Sequence, residues 1–104
     1  LKKTWRLYIL RCGDDTLYTG ITNDLLRRLV QHNSGKASRY TRSRLPVSLV
    51  HQESCQDRSS ALKKEYRMKS LSRKEKDAYI NEKRRNPRLR VPVRGKSKGN
   101  GGLS

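Results

Sequence analysis

Residues 5–12 alternate between apolar and polar positions. Trp5, Leu7 and Ile9 fall on one face and Arg6, Tyr8 and Leu10 on the other, and this period of two predicts a strand. Gly13-Asp14-Asp15-Thr16 has the composition of a turn, and residues 17–21 predict the returning strand of a hairpin. From Leu25 the period changes. Leu25, Leu26, Leu29 and Val30 share an arc of about 140° at helical spacing, which predicts a helix with those four residues as its core face. Thr22 or Asn23 is the expected cap, and the helix should run to about His32 and stop at Asn33-Ser34-Gly35. Residues 36–44 predict a basic loop around Tyr40, and Pro46 opens a third strand over residues 47–53. Residues 57–69 predict another helix, and the capping-box sequence Ser72-Arg73-Lys74-Glu75 starts a short one through Ile80. The order β-β-α-β-α-α predicts an α+β domain, a small antiparallel or mixed sheet with helices packed on it. No internal repeat is visible.

Charge adds a partner to this outline. The 104 residues carry twenty-six Lys and Arg against nine Asp and Glu, a formal net charge of +17 with a pI near 10.7. Such a balance points to a polyanion, and nucleic acid fits better than a membrane surface, because no apolar run is long enough to span a bilayer. The charge is unevenly placed. Residues 82–104 hold eight Lys and Arg and one Glu, which leaves +10 for residues 1–81. We therefore expect a domain over residues 1–81 and a basic tail over residues 82–104. The tail has almost nothing to bury, so it should be disordered in isolation and grip phosphates through residues such as Lys83, Arg84, Arg85, Arg88 and Arg90. Cys12 and Cys55 match no disulfide framework or metal knuckle and read as reduced thiols of a cytoplasmic protein. A zinc site built from His51, Cys55, Cys12 and His32 has no compact spacing to support it.

Two oddities lie on the helices. Ala61, Leu62 and Met68 define the apolar arc of the helix at residues 57–69, and Glu65 falls inside that arc. An acid facing inward in so basic a chain is either a structural ion pair, most simply with Lys69 one turn on, or a metal ligand in a cleft. Arg28 and His32, four residues apart, lie together at one border of the first helix's apolar arc, where both could reach one phosphate. Arg27 lies beyond the opposite border, placed for binding alone. Taken singly, Arg28 reads as a snorkelling side chain and His32 as a helix end. Tyr40, between Arg39 and Arg42, could stack on a base or sugar in a basic groove, or pack against the domain.

The strand Leu7-Tyr8-Ile9, the returning Tyr18-Thr19-Gly20, the helix with Arg28 and His32, and the later helical Glu65 together resemble the GIY-YIG endonuclease domain, over roughly residues 4–71. The run from Leu17 to Asn33 is similar to small stand-alone bacterial members. The resemblance implies a three-stranded sheet flanked by helices and divalent-metal-dependent cleavage of DNA phosphodiesters. It also implies Tyr8, Tyr18, Arg28, His32 and Glu65 as site residues, with Asn81 as the candidate for a late supporting asparagine.

The chemistry can be read from the same residues. Phosphodiester hydrolysis needs an activated water, neutralisation of charge growing on phosphate, and stabilisation of the leaving oxygen. Glu65 is a hard oxygen ligand for Mg²⁺ or Mn²⁺, and Arg28 can fork onto the scissile phosphate. Tyr8 or Tyr18 would take the proton of the attacking water. A phenol of pKa about 10 is ionised only to about one part in a thousand at pH 7, so Arg28 and the metal are expected to lower it. His32 would position water or bind phosphate, and Gly20 marks either a close backbone approach or a packing glycine. The expected function is a DNA endonuclease of repair or processing, cytoplasmic and nucleoid-associated, with RNA left open as a substrate. A non-catalytic, ribosome- or nucleoid-associated binding protein accounts equally well for the charge, though not for Glu65.

Overall fold

A computed structural model describes residues 3–85. The hairpin forms from β1 (Trp5–Arg11) and β2 (Leu17–Thr22), followed by α1 (Leu25–Asn33), a four-residue helix α2 (Arg39–Arg42), β3 (Ser48–Cys55), α3 (Arg58–Lys69) and α4 (Arg73–Arg85). The sheet is antiparallel throughout, in the order β2-β1-β3. This is the expected α+β architecture, with three strands and flanking helices. The order differs from the expected one only in α2, which lies within the segment read as a loop. Four residues show no helical period, and the one mark of α2 is Ser38, whose hydroxyl accepts from the Tyr40 amide.

Burial follows the alternation of β1. Leu7 and Ile9 point into one cluster with Cys55, Ala61, Met68 and Ile80, so α3 and α4 cover that face. Tyr8, Leu10 and Cys12 point into the other with Val47, Leu25 and Leu29, under α1. A small domain thus buries its central strand on both faces. The two free cysteines belong to separate clusters on opposite faces of the sheet, which keeps them apart as packing residues.

The helix ends correct the expected limits. Asp24, not Thr22 or Asn23, caps α1 by accepting from the Arg27 amide, while the Thr22 hydroxyl accepts from the amide of Asp24. Gly35, at φ 79°, takes the left-handed position beyond α1 that a side chain would disfavour. The Asn33 side chain bonds both the amide and the carbonyl of Val47, tying the end of α1 to the start of β3. The capping box of α4 forms as expected between Ser72 and Glu75. That helix continues five residues past Ile80, so residues 82–85, assigned to the tail on composition, are helical. Residues 86–104, with Arg88 and Arg90, lie outside the described residues. No helix among the described residues is long and apolar enough to cross a membrane.

The larger correction concerns which faces are buried. Leu26 is 78% exposed and Val30 70%, whereas His32 is 1% exposed. The inward stripe of α1 is Leu25, Arg28, Leu29 and His32, spaced i, i+3, i+4, i+7. Helix α3 repeats the device with Ala61, Lys64, Glu65 and Met68, and leaves Leu62 39% exposed. On each helix two of four inward positions are polar. Hydrophobicity alone therefore placed the stripe of α1 one position off.

Lys64 serves a structural pin. Its ammonium lies 2.6 Å from Glu53 Oε1, and His51 Nε2 (2.7 Å) and the Tyr79 hydroxyl bond Oε2. Burial pushes the Glu53 carboxyl up, but the three hydrogen bonds outweigh it and hold the group well below the usual carboxylate range. The contact joins β3 to α3 and α4. Glu53→Gln should cost about 1–3 kcal/mol in urea unfolding at pH 7, the range for leaving buried polar partners unsatisfied. The difference should shrink as pH falls below about 4, where the carboxylate's contribution is lost in the parent too.

Candidate active site

The hairpin register brings the two tyrosines to one face. Tyr8 pairs with Gly20 and Tyr18 with Leu10, so the rings are diagonal neighbours over α1. Their centroids are 6.4 Å apart, and Tyr18 also meets the His32 ring at 5.2 Å and stacks on Tyr40 at 6.0 Å. Tyr40 is in turn covered by the Arg44 guanidinium, 3.9 Å from its centroid. Tyr40 thus packs against the domain while 37% of it stays exposed. Gly20 makes the close backbone approach: a Cβ there would stand 2.5 Å from the Tyr8 hydroxyl oxygen and 2.7 Å from Cζ. The absence of a side chain at residue 20 is what lets the phenol lie flat across β2.

The centre of the cluster is a chain of buried hydrogen bonds. The Tyr8 hydroxyl lies 2.9 Å from His32 Nε2, and His32 Nδ1 lies 2.9 Å from the Thr41 hydroxyl oxygen. Thr41, fully buried on α2, spends its own proton on the Ser38 carbonyl at 3.4 Å. With that proton so placed, Thr41 accepts from His32 Nδ1–H and the Nε2 lone pair accepts from Tyr8, the tautomer this pattern favours. Burial and the neighbouring Arg28 both lower the His32 pKa, so the imidazole is neutral at pH 7. His32 lies in the last turn of α1, but its side chain is buried and held between Tyr8 and Thr41 instead of projecting along the domain edge.

The net shift of Tyr8 runs opposite to expectation, with burial as its largest cause, although Arg28 acts in the expected direction. Burial, the Tyr18 phenol and Glu65 all raise its pKa, and the lowering by Arg28 does not compensate. Tyr8 is a protonated phenol at neutral pH. The same balance places Arg28 and Glu65 within electrostatic reach of its hydroxyl. Arg28 is half-buried, and its Nε is buried without a hydrogen-bond partner among the described residues. Glu65 has a side chain 21% exposed and an ion pair with Lys69 at 3.3 Å, so the structural pairing expected from sequence is present.

The remaining candidates are dispersed. Arg27, Arg39 and Arg42 are exposed on α1 and α2. Lys83 lies over the Tyr79 ring, Arg84 donates to the Val50 carbonyl, and Arg85 ends α4. Asn81 is exposed on α4, outside the cluster of contacts around Tyr8. Sequence reading missed Thr41, since a threonine on a four-residue helix carries no signal of its own.

A three-stranded sheet with paired tyrosines over a helix that turns an arginine and a histidine inward defines the class of domain. The chain belongs to the GIY-YIG catalytic domain family, whose model matches residues 4–85. It is 55% identical over 78 residues to a UPF0213 protein of Bacillus velezensis, covering 75% of this chain and 79% of that one. It is 49% identical over 74 residues to a UPF0213 protein of Halobacterium salinarum, covering 71% and 96% respectively. Two solution structures are similar. A protein of E. faecalis matches at TM-score 0.57 and 34% identity over 93% of this chain and 97% of that one. A UPF0213 protein of Bacillus halodurans matches at 0.53 and 40% over 77% and 85%. Family membership implies nuclease activity, and the names of these relatives specify nothing narrower.

Proposed function

We propose that the protein is a divalent-metal-dependent endonuclease that hydrolyses DNA phosphodiesters, associated with the nucleoid and acting on structured DNA in repair or processing. The observation that carries this reading is the Tyr8–His32–Thr41 chain. A neutral histidine poised to accept a phenol proton lets Tyr8 act as base without standing ionised: as Tyr8 takes the proton of the attacking water, its own proton passes to His32 Nε2. Thr41 then stabilises the imidazolium through Nδ1–H. Arg28, with a buried donor that has no partner among the described residues, is suited to fork onto the scissile phosphate.

Among the described residues no three His, Cys, Asp or Glu side chains gather as a metal site, so a multi-carboxylate cage is not the model. A single carboxylate fits Mg²⁺ or Mn²⁺, which keep most of their shell as water and phosphate oxygen. Glu65 would hold the ion, which when bound supplies charge neutralisation at phosphate and the leaving oxygen. Lys69 would have to release the carboxylate.

The direct test is incubation with nicked, flapped and branched DNA, with and without Mn²⁺. Cleavage of at least one substrate that requires the metal supports the reading, and no product from any of them overturns it. Arg28→Ala should lower the single-turnover rate by about 10²- to 10³-fold, the range for one preorganised donor. Arg27→Ala, on the exposed side of α1, should mainly weaken binding. Equal losses at the two positions would show that Arg28 has no special place at the phosphate.

A further inference from the structure

The face of the sheet that carries Tyr8 does not end at α1. Side chains two residues apart on a strand share a face about 7 Å apart, so Arg6 is the next residue beyond Tyr8 on that side. Tyr8 pairs with Gln52 and Arg6 with Ser54 across to the edge strand β3. Gln52 and Ser54 are exposed, so this half of the face is open where the other half is covered by helix. Around the β3 edge it passes into a cleft of about 740 Å³ lined by Arg6, Gln52, Glu53, Ser54, Lys83 and Arg84.

The cations of this cleft are held by neutral groups. Arg6 Nη1 donates to Gln52 Oε1 at 3.2 Å and to Ser54 Oγ at 3.3 Å. Arg84 Nη2 donates to the Val50 carbonyl at 3.4 Å, and the Lys83 ammonium lies 5.4 Å from the Tyr79 ring centroid. Each is oriented, yet none of the three has a carboxylate partner among the described residues. The one acid in the lining, Glu53, is engaged by Lys64, His51 and Tyr79. Six other Lys and Arg side chains of the described residues are ion-paired, Lys3, Arg11, Arg44 and Arg73 among them. Oriented cations that keep their full charge are what a phosphate chain displaces counterions to meet.

We propose that the cleft at the β3 edge seats the sugar-phosphate backbone of nucleic acid running away from the Tyr8 site, with Arg6, Lys83 and Arg84 as its phosphate contacts. Neutral Gln52 and Ser54 hold Arg6 flat on the sheet. The contacts are made to backbone oxygens and carry no base readout, so they position the substrate without selecting sequence. Residues 86–104, which follow α4 in sequence, carry five further Lys and Arg. The direction of the substrate rests on the active-site reading above, whereas the binding surface itself does not.

The test is fluorescence anisotropy of a labelled duplex titrated over a series of KCl concentrations without divalent metal. The full chain is compared with Arg6→Gln/Arg84→Gln and with Lys74→Gln/Lys76→Gln, a control pair of equal charge loss on α4. Two lost phosphate contacts should flatten the slope of log K against log salt by about 1.8. The control pair should change the slope by much less. Equal slopes for the two double variants would overturn the proposal, since loss of net charge would then explain both. In single turnover the Arg6/Arg84 variant should need more DNA than the control pair to reach half its maximal rate, and an equal shift in the two would overturn the surface. If no DNA is cut by the parent protein, the salt slopes still decide the surface.

Discussion

Glu65→Gln is expected to bring divalent-dependent cleavage to background while leaving DNA affinity nearly unchanged. The substitution keeps the shape of the side chain and removes its charge. The fold should hardly respond, because the pair it loses, Glu65–Lys69, is an i, i+4 contact with the lysine more than half exposed, a type worth about 0.3–0.5 kcal/mol. Glu65 is also one of the groups that raise the Tyr8 pKa, so removing its charge eases ionisation of that phenol. The two possible roles of the carboxylate thus predict opposite signs. If Glu65 only modulated Tyr8, the variant would cut as fast as the parent or faster. If it holds the metal, easier ionisation of Tyr8 cannot restore the rate. Parallel measurement of binding by anisotropy and cleavage in single turnover, over a Mn²⁺ titration, separates the two. Parental rates in the variant would leave Glu65 as a partner of Lys69 and nothing more.

The parts of this site that were legible in the sequence are those carried by strong periodicity. The alternation of β1 placed Tyr8 opposite Leu7 and Ile9, and the turn at Asp14-Asp15 returned Tyr18 beside it. The side of the sheet they share with α1, however, depended on register. The helices were legible as elements but not as faces. An apolar arc was drawn through Leu26 and Val30, which are exposed, because Arg28 and His32 do not look like inward residues. The inward stripes of α1 and α3 are half polar because the site is built on them, and a hydrophobic pattern is least informative at such positions. The anomaly itself was readable at Glu65, where an acid stood on an apolar arc. At His32 the same anomaly was present but hidden by the misplaced arc.

The expectation for Tyr8 failed for a related reason. From sequence, nearby positive charge should make the phenol more acidic, and Arg28 does act in that direction. What the sequence could not weigh is burial of Tyr8 to 2% exposure, together with Tyr18 and Glu65 on the same side of the balance. A phenol shielded in this way is a poor base alone and needs a proton acceptor behind it. His32 supplies that acceptor, and the residue that sets its tautomer comes from α2, where no pattern announced a helix.

Tyr8→Phe should accordingly lower the single-turnover rate by about 10²- to 10⁴-fold, the range for loss of acid–base participation, with DNA affinity unchanged. The ring stays, but His32 Nε2 loses its buried partner, so a stability cost of about 1–3 kcal/mol is expected alongside and must be checked by urea unfolding before rates are compared. Tyr18→Phe keeps the stack between His32 and Tyr40 and removes a hydroxyl outside the Tyr8–His32–Thr41 chain, so its loss should be much smaller. Thr41→Val is the sharper probe, since Thr41 lies one residue removed from the reacting phenol. Without the hydroxyl, Nδ1–H has no acceptor and the Nε2–H tautomer becomes competitive. The ¹⁵N shifts of the His32 ring should then show a mixture in place of a single Nδ1–H form, and the rate should fall with that population, with Thr41→Ser restoring both. The pH profile carries the same logic. His32 acts as acceptor only when neutral, and its pKa is held below 6.5 by burial and Arg28, so the acid limb of the rate should lie below pH 6.5. Folding stability should likewise decline as pH falls below about 6.5, where the unfolded imidazole binds a proton that the folded one resists. An acid limb at or above pH 6.5, or a single unchanged tautomer in Thr41→Val, would remove His32 from the proton path.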